Sequence, residues 1–279
     1  MNFALFIGES TGLKILKIFI EKKINITYVC SVDLDYKKKI TEICKNNKIP
    51  FFYNPSKKIS NILRLNKKTD YIFSVFSRYI IPQKIITSIK KFGFNLHPGL
   101  LPYYPGTNSI SGTLYNNEKE TGITIHLLTK NIDKGKILIK KKIKISNKSL
   151  AINVWKKIYL ISLNLIPIFL KRLSKNKIRL YENDFNKAKN FPKFIPNRGI
   201  LDKKFSKKKI INMYRASYYH PFKSSWGNLN FFYKKKNYVI LDLKLSKKSK
   251  ERYFIKRFKN KDNFLINTKS ATFIIKTKN

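Results

Sequence analysis

Asn95 and His97 stand two residues apart in Phe94-Asn95-Leu96-His97-Pro98, at the end of an apolar run, and the period-two alternation of a strand sends both side chains to one face. An amide and an imidazole side by side can polarise a carbonyl and accept a proton. Such a pair is completed by a carboxylate that orients the imidazole and holds its charged form, and Asp133, in Asn131-Ile132-Asp133-Lys134-Gly135, is an acid next to a turn-forming glycine. It is one of only 15 acidic residues, which makes its placement informative. A plainer reading stays open from spacing alone, in which Asn95 caps a turn and Asp133 opens a hairpin. The other two histidines read as structural, His126 inside an alternating strand and His220 ahead of Pro221.

The elements that must carry these residues follow a Rossmann-like order, a mostly parallel α/β sheet with helices on both faces. Strands are predicted at 3–7, 26–32, 71–76 and 93–97, with helices at 12–22, 37–46 and 83–90 between them. His97 thus falls at a strand end followed by a Gly/Pro loop, where open α/β sheets build their sites. A short helix near 109–115, β-rich runs at 122–128 and 137–145, and one long closing helix at 146–172 complete this part. A linker rich in Asn, Lys and Pro precedes a mostly β module with strands predicted at 229–233, 238–243, 253–258 and 271–276. The domains expected are 1–178, a linker at 179–200, and 201–279.

At 43% hydrophobic and 14% aromatic residues the chain can bury a substantial core, which excludes wholesale disorder despite a formal charge of +45. Lys, Ile, Asn, Phe and Tyr are abundant together, as AT-rich coding would produce, so net charge is a weak pointer to nucleic acid. The segments differ slightly: residues 1–180 carry 34 basic and 9 acidic groups, residues 181–279 carry 26 and 6. Lysine runs at 37–39, 207–209 and 234–236 read as solvated faces. Cys30 and Cys44 lie in apolar segments without metal-ligand spacing, so neither a disulfide nor a zinc site is expected. The N-terminal run MNFALFIGES has no basic leader or small-residue cleavage site, and the most apolar stretch, 158–170, is too short to span a bilayer. A cytoplasmic protein without membrane association is the expectation. Gly8 and Gly12 form half of a dinucleotide fingerprint, but G-x-G-x-x-G is absent, and a tight strand-to-helix turn explains them better.

The stretches Phe94-Asn95-Leu96-His97-Pro98-Gly99-Leu100-Leu101-Pro102 with Tyr104-Pro105-Gly106, then Glu120 to His126, then Ile132-Asp133-Lys134-Gly135, resemble the 10-formyltetrahydrofolate-dependent formyltransferase family over residues 1–180. The family includes methionyl-tRNA formyltransferases and sugar-nucleotide N-formyltransferases. Asn197 to Asp202 and Tyr214-Arg215-Ala216-Ser217 with His220-Pro221-Phe222 resemble the start of its C-terminal module, an OB-like barrel. The resemblance implies Asn95, His97 and Asp133 as catalytic residues, with 10-formyltetrahydrofolate as formyl donor and no metal. It implies a pterin cradle at Phe76, Ser77, Arg78, Tyr79 and Ile80 together with Leu128, Thr129 and Asn131. The amine substrate would be bordered by Gly99, Leu101, Pro102, Gly106 and Asn108. Gly99 stands where Ser is usual, and Lys134 where Thr or Ala is common; both flank the central residues, so they bear on substrate fit more than on chemistry.

Three features bear on the acceptor. The basic insertion that tRNA-type enzymes carry after the second strand has no counterpart between Val32 and Lys39, and both the Leu-Leu-Pro-Tyr-Tyr-Pro-Gly-Thr-Asn run and His220-Pro221-Phe222 resemble sugar-nucleotide enzymes more closely. These favour an amino-sugar nucleotide as partner. The basic tail module speaks for initiator Met-tRNA instead, since phosphate contacts dominate nucleic-acid affinity. A catalytically inactive RNA-binding homologue is the non-enzymatic reading, and it predicts broken site residues where three intact ones stand.

Overall fold

The computed structural model describes residues 1–189, 191–250, 253–258 and 262–278. Its larger sheet has seven strands in the order β3-β2-β1-β4-β5-β6-β7. These are β1 (Asn2–Ile7), β2 (Asn25–Ser31), β3 (Phe51–Tyr53), β4 (Tyr71–Val75), β5 (Phe92–His97), β6 (Glu120–Leu127) and β7 (Ile137–Lys144). The first five run parallel and β6 pairs antiparallel to β5. Helices α1 (Glu9–Glu21), α2 (Lys37–Asn46), α3 (Ile59–Asn66), α4 (Gln83–Ile86), α5 (Ser109–Tyr115) and α6 (Ala151–Ser174) connect or follow them.

The central strands β1 and β4 are buried almost end to end, as a sheet covered on both faces requires. Alternation along β1 divides its side chains between two cores. Phe3 packs edge-on against Phe19 of α1 and Phe169 of α6, and stacks on Tyr71 at 5.3 Å. Ala4 and Phe6 face the other way, into a cluster with Tyr28, Ile62 of α3, Ile72 and Ile85 of α4. Aromatic pairs of this kind add roughly 0.5–1.5 kcal/mol beyond the area they bury. The apolar stretch at 158–170 lies within α6, whose Phe169 is fully buried, and no described helix is long and apolar enough to cross a membrane.

Gly8 is a packing requirement, since a Cβ there would lie 2.3 Å from the carbonyl oxygen of Phe76, in the loop after β4. Its N–H donates to Val75 O at 3.0 Å, so the loops after β1 and β4 meet through backbone. The tight-turn reading of this glycine therefore holds. At the start of α1 the carboxylate of Asp33 accepts from Glu9 N at 2.8 Å, a protein anion on a helix N-terminus.

The chain divides into two compact units: 1–106 with 122–142 and 157–189, and 107–121 with 143–156 and 190–279. The second unit holds a five-stranded antiparallel sheet, a curled half-barrel in the order β10-β11-β12-β9-β8. Its strands are β8 (Asn230–Tyr233), β9 (Lys236–Ser246), β10 (Phe254–Arg257), β11 (Asn263–Asn267) and β12 (Thr272–Lys278), following α7 (Lys207–Ser217). The fold class predicted from sequence is the one observed.

Within the second unit, α5 packs on α7, with Ser111 Oγ donating to Ala216 O at 2.8 Å and Asn212 Nδ2 to Tyr115 O at 3.1 Å. The buried guanidinium of Arg215 donates to the carbonyls of Ser146 and Ser149 and to the side-chain oxygens of Asn117 and Asn212. Helix α7 was hidden in the sequence by its lysine run 207–209, although Ser206, whose hydroxyl accepts from Lys209 N, is a recognisable N-cap. Strands β3 and β11 and helix α3 also went unpredicted, and α4 stops at Ile86 rather than 90.

Candidate active site

The site forms at the C-terminal end of β5, where Asn95 and His97 project from one face as alternation requires. Asp133 reaches it from the loop between β6 and β7, in a left-handed backbone conformation at φ 56°. Its Oδ2 accepts from Gly106 N at 2.7 Å and lies 3.4 Å from His97 Nδ1. Its Oδ1 lies 3.3 Å from Asn95 Nδ2, which donates to it. The structure thus brings the three predicted side chains within mutual reach, with His97 3% and Asp133 8% exposed.

A fourth member, His126, was assigned a structural role in the sequence reading and belongs to the cluster. Its Nε2 lies 3.3 Å from Asp133 Oδ1 and 3.2 Å from Asn95 Nδ2. Its Nδ1 sits 2.8 Å from the carbonyl of Leu127, which can only accept, so Nδ1 carries the proton. Nε2 faces the Asp133 carboxylate and the Asn95 amide together. The signal that would have found it is register: the antiparallel β5–β6 ladder sets His126 directly opposite Asn95. A His126→Gln variant is expected to lose roughly tenfold in kcat with KM nearly unchanged, because it loosens Asn95 and Asp133 without touching the ligand cleft. Steady-state kinetics on the purified variant check this.

Asn183 is a second residue the sequence did not signal. Its Nδ2 donates to the carbonyls of Asp133 at 2.8 Å and Gly135 at 3.3 Å, pegging the loop that presents the carboxylate. Gly135 closes the same loop, and a Cβ there would stand 1.9 Å from the Leu127 carbonyl oxygen. Gly135→Ala is expected to destabilise the fold by about 2–3 kcal/mol through forced backbone displacement. Gly106, at φ 81° with no atom within 4 Å of an added Cβ, is the control. There alanine meets only the left-handed penalty of about 1–2 kcal/mol. Urea unfolding of the two variants separates the mechanisms.

The charge states follow from burial and neighbours. Burial lowers the His97 pKa below its usual 6.5 and His126 lowers it further, while Asp133 and a backbone hydrogen bond at Tyr104 pull it up without overcoming burial. For Asp133, burial pushes the carboxyl up, and His97, His126 and the Gly106 N–H together outweigh it, holding it well below the ordinary carboxylate range. The resting site is a carboxylate beside a neutral imidazole, with His97 Nδ1 3.4 Å from the carboxylate. His97 Nε2 is then a bare lone pair, buried and without a hydrogen-bond partner. Both groups have depressed values, so the stability each contributes is present at high pH and lost as pH falls through the folded value. Unfolding free energy is expected to decline from about pH 6.5 downward through His97, then again below the ordinary carboxylate value of 3.8 through Asp133. His97→Ala removes the first step and shrinks the second, since His97 is the largest of the influences that hold Asp133 down, and denaturant titration at several pH values reads this out.

The remaining predicted residues fall as follows. Phe76, at φ 50°, and Ser77 to Ile80 form the loop after β4, beside the end of β5, since Val75 pairs with Leu96. Tyr79 stacks on Phe6 at 6.0 Å, and Ile80 is exposed. Leu128 packs on the Phe6 cluster, while Thr129 Oγ1 donates to Asn131 O at 2.8 Å within the loop that carries Asp133. Thr124 Oγ1 donates to Gly99 O at 2.8 Å and accepts from Leu101 N, which fixes the segment leading through Pro102 to Gly106. Asn108 lies in the second unit, where its Oδ1 accepts from Ser225 Oγ. Cys30 and Cys44 are both buried free thiols, and no group of three or more metal-ligating side chains exists among the described residues.

A half-buried amide, a buried imidazole and a buried carboxylate thus meet at the end of a parallel-sheet strand. Residues 30–159 match the model of the formyl transferase family, the family that the sequence motifs resemble. It is 36% identical over 174 residues, 61% of this chain, to the bifunctional polymyxin resistance protein ArnA of Wigglesworthia glossinidia brevipalpis. It is 30% identical over 162 residues, 56% of this chain, to GDP-perosamine N-formyltransferase of Brucella melitensis. The chain spans 26% of the first relative's length and 60% of the second's. The crystal structure of an N-formyltransferase from Helicobacter canadensis, in complex with folinic acid and dTDP-3-aminofucose, shares the fold at a TM-score of 0.71. That likeness covers 99% of both chains at 16% identity.

Proposed function

We propose that this protein transfers a formyl group from 10-formyltetrahydrofolate to the amine of an amino-sugar nucleotide, with Asn95, His97 and Asp133 as its catalytic residues inside a 1–178 catalytic domain. The observation that carries the reading is the unpartnered Nε2 of a buried, neutral His97 backed by the Asp133 carboxylate. It is a base awaiting a proton, and it fits an occupant that sheds one. The folate supplies an activated formyl carbonyl, and the attacking amine must lose a proton as its bond to that carbon forms. His97 Nε2 accepts this proton, the neighbouring Asp133 carboxylate stabilises the imidazolium, and the ring returns the proton to folate N10 as the bond between the formyl carbon and N10 breaks and tetrahydrofolate leaves.

The Asn95 amide is the donor available to the carbonyl oxygen. In the resting site its Nδ2 donates to Asp133 Oδ1 at 3.3 Å and lies 3.2 Å from His126 Nε2. Bonds of that length are weak and readily exchanged for one to an oxygen gaining negative charge. Burial keeps the His97 ring neutral until it takes the substrate's proton.

The loops Phe76 to Ile80 and Leu128 to Asn131 would hold the pterin, and Gly99, Leu101, Pro102, Gly106 and Asn108 would border the amine. The sugar-nucleotide acceptor is supported by the GDP-perosamine N-formyltransferase relative and by the uninterrupted Val32 to Lys39 segment, while a methionyl-tRNA formyltransferase of Kosmotoga olearia, 32% identical over 149 residues, stands on the side of the tRNA acceptor. Incubating the protein with 10-formyltetrahydrofolate and either a 4-amino-sugar nucleotide or charged initiator tRNA, then identifying the formylated product by mass spectrometry, tests it. A formylated sugar nucleotide is expected; formyl-Met-tRNA alone would overturn the acceptor, and neither product would overturn the activity.

A further inference from the structure

The half-barrel carries a second concave site that formyl transfer does not use. Three parts of the second unit line a hollow of about 1060 Å³: residues 203–204 ahead of α7, residues 248–250 with Tyr253 after β9, and the turn 268–269 between β11 and β12. Five of its eight described lining residues are lysines, at 203, 204, 248, 250 and 269. Lysine is abundant throughout, yet 52 in 279 residues would place only one or two among eight.

The walls are tied to one another. Lys269 N donates to Lys203 O at 3.0 Å, Lys248 Nζ to Lys269 O at 3.3 Å, Ser249 N to Thr272 Oγ1 at 2.9 Å, and Ser270 Oγ to Phe205 O at 3.0 Å. The lysines therefore converge on a fixed frame. The neighbouring carboxylate is Asp202, whose Oδ1 accepts from Lys204 N at 2.8 Å. Among the described residues the five ammonium groups outnumber this carboxylate, and an anion of several charges would complement them. Tyr253, 41% exposed with Lys203 Nζ 6.0 Å from its ring centre, adds an aromatic face.

We propose that this hollow binds a soluble nucleoside di- or triphosphate, its phosphates among the five lysines and its base against Tyr253. The volume matches the upper range of small-ligand pockets. A single-stranded nucleic acid is served by a track of cations and stacked rings, whereas these lysines ring one hollow with one ring at its edge. The proposal stands apart from the formyl-transfer reading, since none of its residues belongs to that site.

Hydrogen–deuterium exchange on the full chain at about 0.15 M salt, where surface attraction is screened beyond roughly 8 Å, tests it with ADP, pyrophosphate and a short single-stranded RNA as probes. ADP and pyrophosphate are expected to slow exchange in 203–205, 247–250 and 268–270, with ADP binding more tightly. Tyr253→Ala should abolish the advantage of ADP over pyrophosphate. The exposed pair Lys250→Gln/Lys269→Gln should weaken both ligands at least tenfold while the variant's unfolding curve stays that of the parent. Absence of protection there, unchanged affinity in the lysine double variant, or protection by RNA alone would overturn the proposal. Because exchange reports by segment, binding confined to residues 95–133 also counts against it.

Discussion

His97→Ala is expected to lower kcat for formyl transfer by about three to four orders of magnitude while leaving the protein folded. A positioned general base is typically worth 10²–10⁴-fold, and here the same ring also carries the charge that Asp133 stabilises. Truncation leaves Asp133 Oδ2 with its 2.7 Å bond from Gly106 N, so the carboxylate is not abandoned in the interior. The side chain removed is buried, and the resulting void is expected to destabilise the fold by about 1–3 kcal/mol, too little to explain a thousandfold loss in kcat. The companion signature is the pH profile. In the parent, kcat/KM should fall on the acid side with a midpoint below the usual 6.5 of a histidine, since burial depresses it. The residual activity of His97→Ala should lose that limb. Turnover within tenfold of the parent, with the acid limb intact, would remove His97 from the mechanism.

Asp133→Asn probes the other half of the pair and is expected to lower kcat by about 10²–10³-fold. The change keeps size and shape but replaces a carboxylate that holds four neighbours by an amide that can accept at only one atom. If the new oxygen keeps the Gly106 N–H, its NH₂ faces the donating amide of Asn95, and donor meets donor. The imidazolium that forms on His97 loses its counter-charge in a buried site, where that loss is most costly. The signature is therefore kinetic and titrimetric together: slower turnover, and a His97 pKa still lower than in the parent, read from the histidine resonances by NMR. A rise in that pKa, or a normal kcat, would contradict the assigned charges.

How much of this was legible beforehand differs by residue. Asn95 and His97 were readable because a strand's two-residue period needs only local sequence. Strands β1 and β4 were readable for the same reason, as continuous apolar runs between turn signals. Asp133 was visible as a candidate through its place beside a glycine, but spacing left the hairpin reading open. What closed it is the left-handed backbone at Asp133, the Asn183 peg and the contact that excludes a side chain at Gly135. None of these is a local property.

His126 marks the limit more sharply. Its own strand supplied only alternation, and its membership in the site depends on which strand lies beside it and in what register, since a slip of one residue would turn it to the opposite face. The lysines at 203, 248 and 269 are likewise scattered along the chain and became a site only when three loops met. The sequence by itself determined the sheet order's periodic elements, the amide and imidazole of one strand, and a family resemblance. The tertiary structure alone decided protonation and partnership, because desolvation and hydrogen bonding depend on what surrounds a group in space and not on what precedes it in the chain.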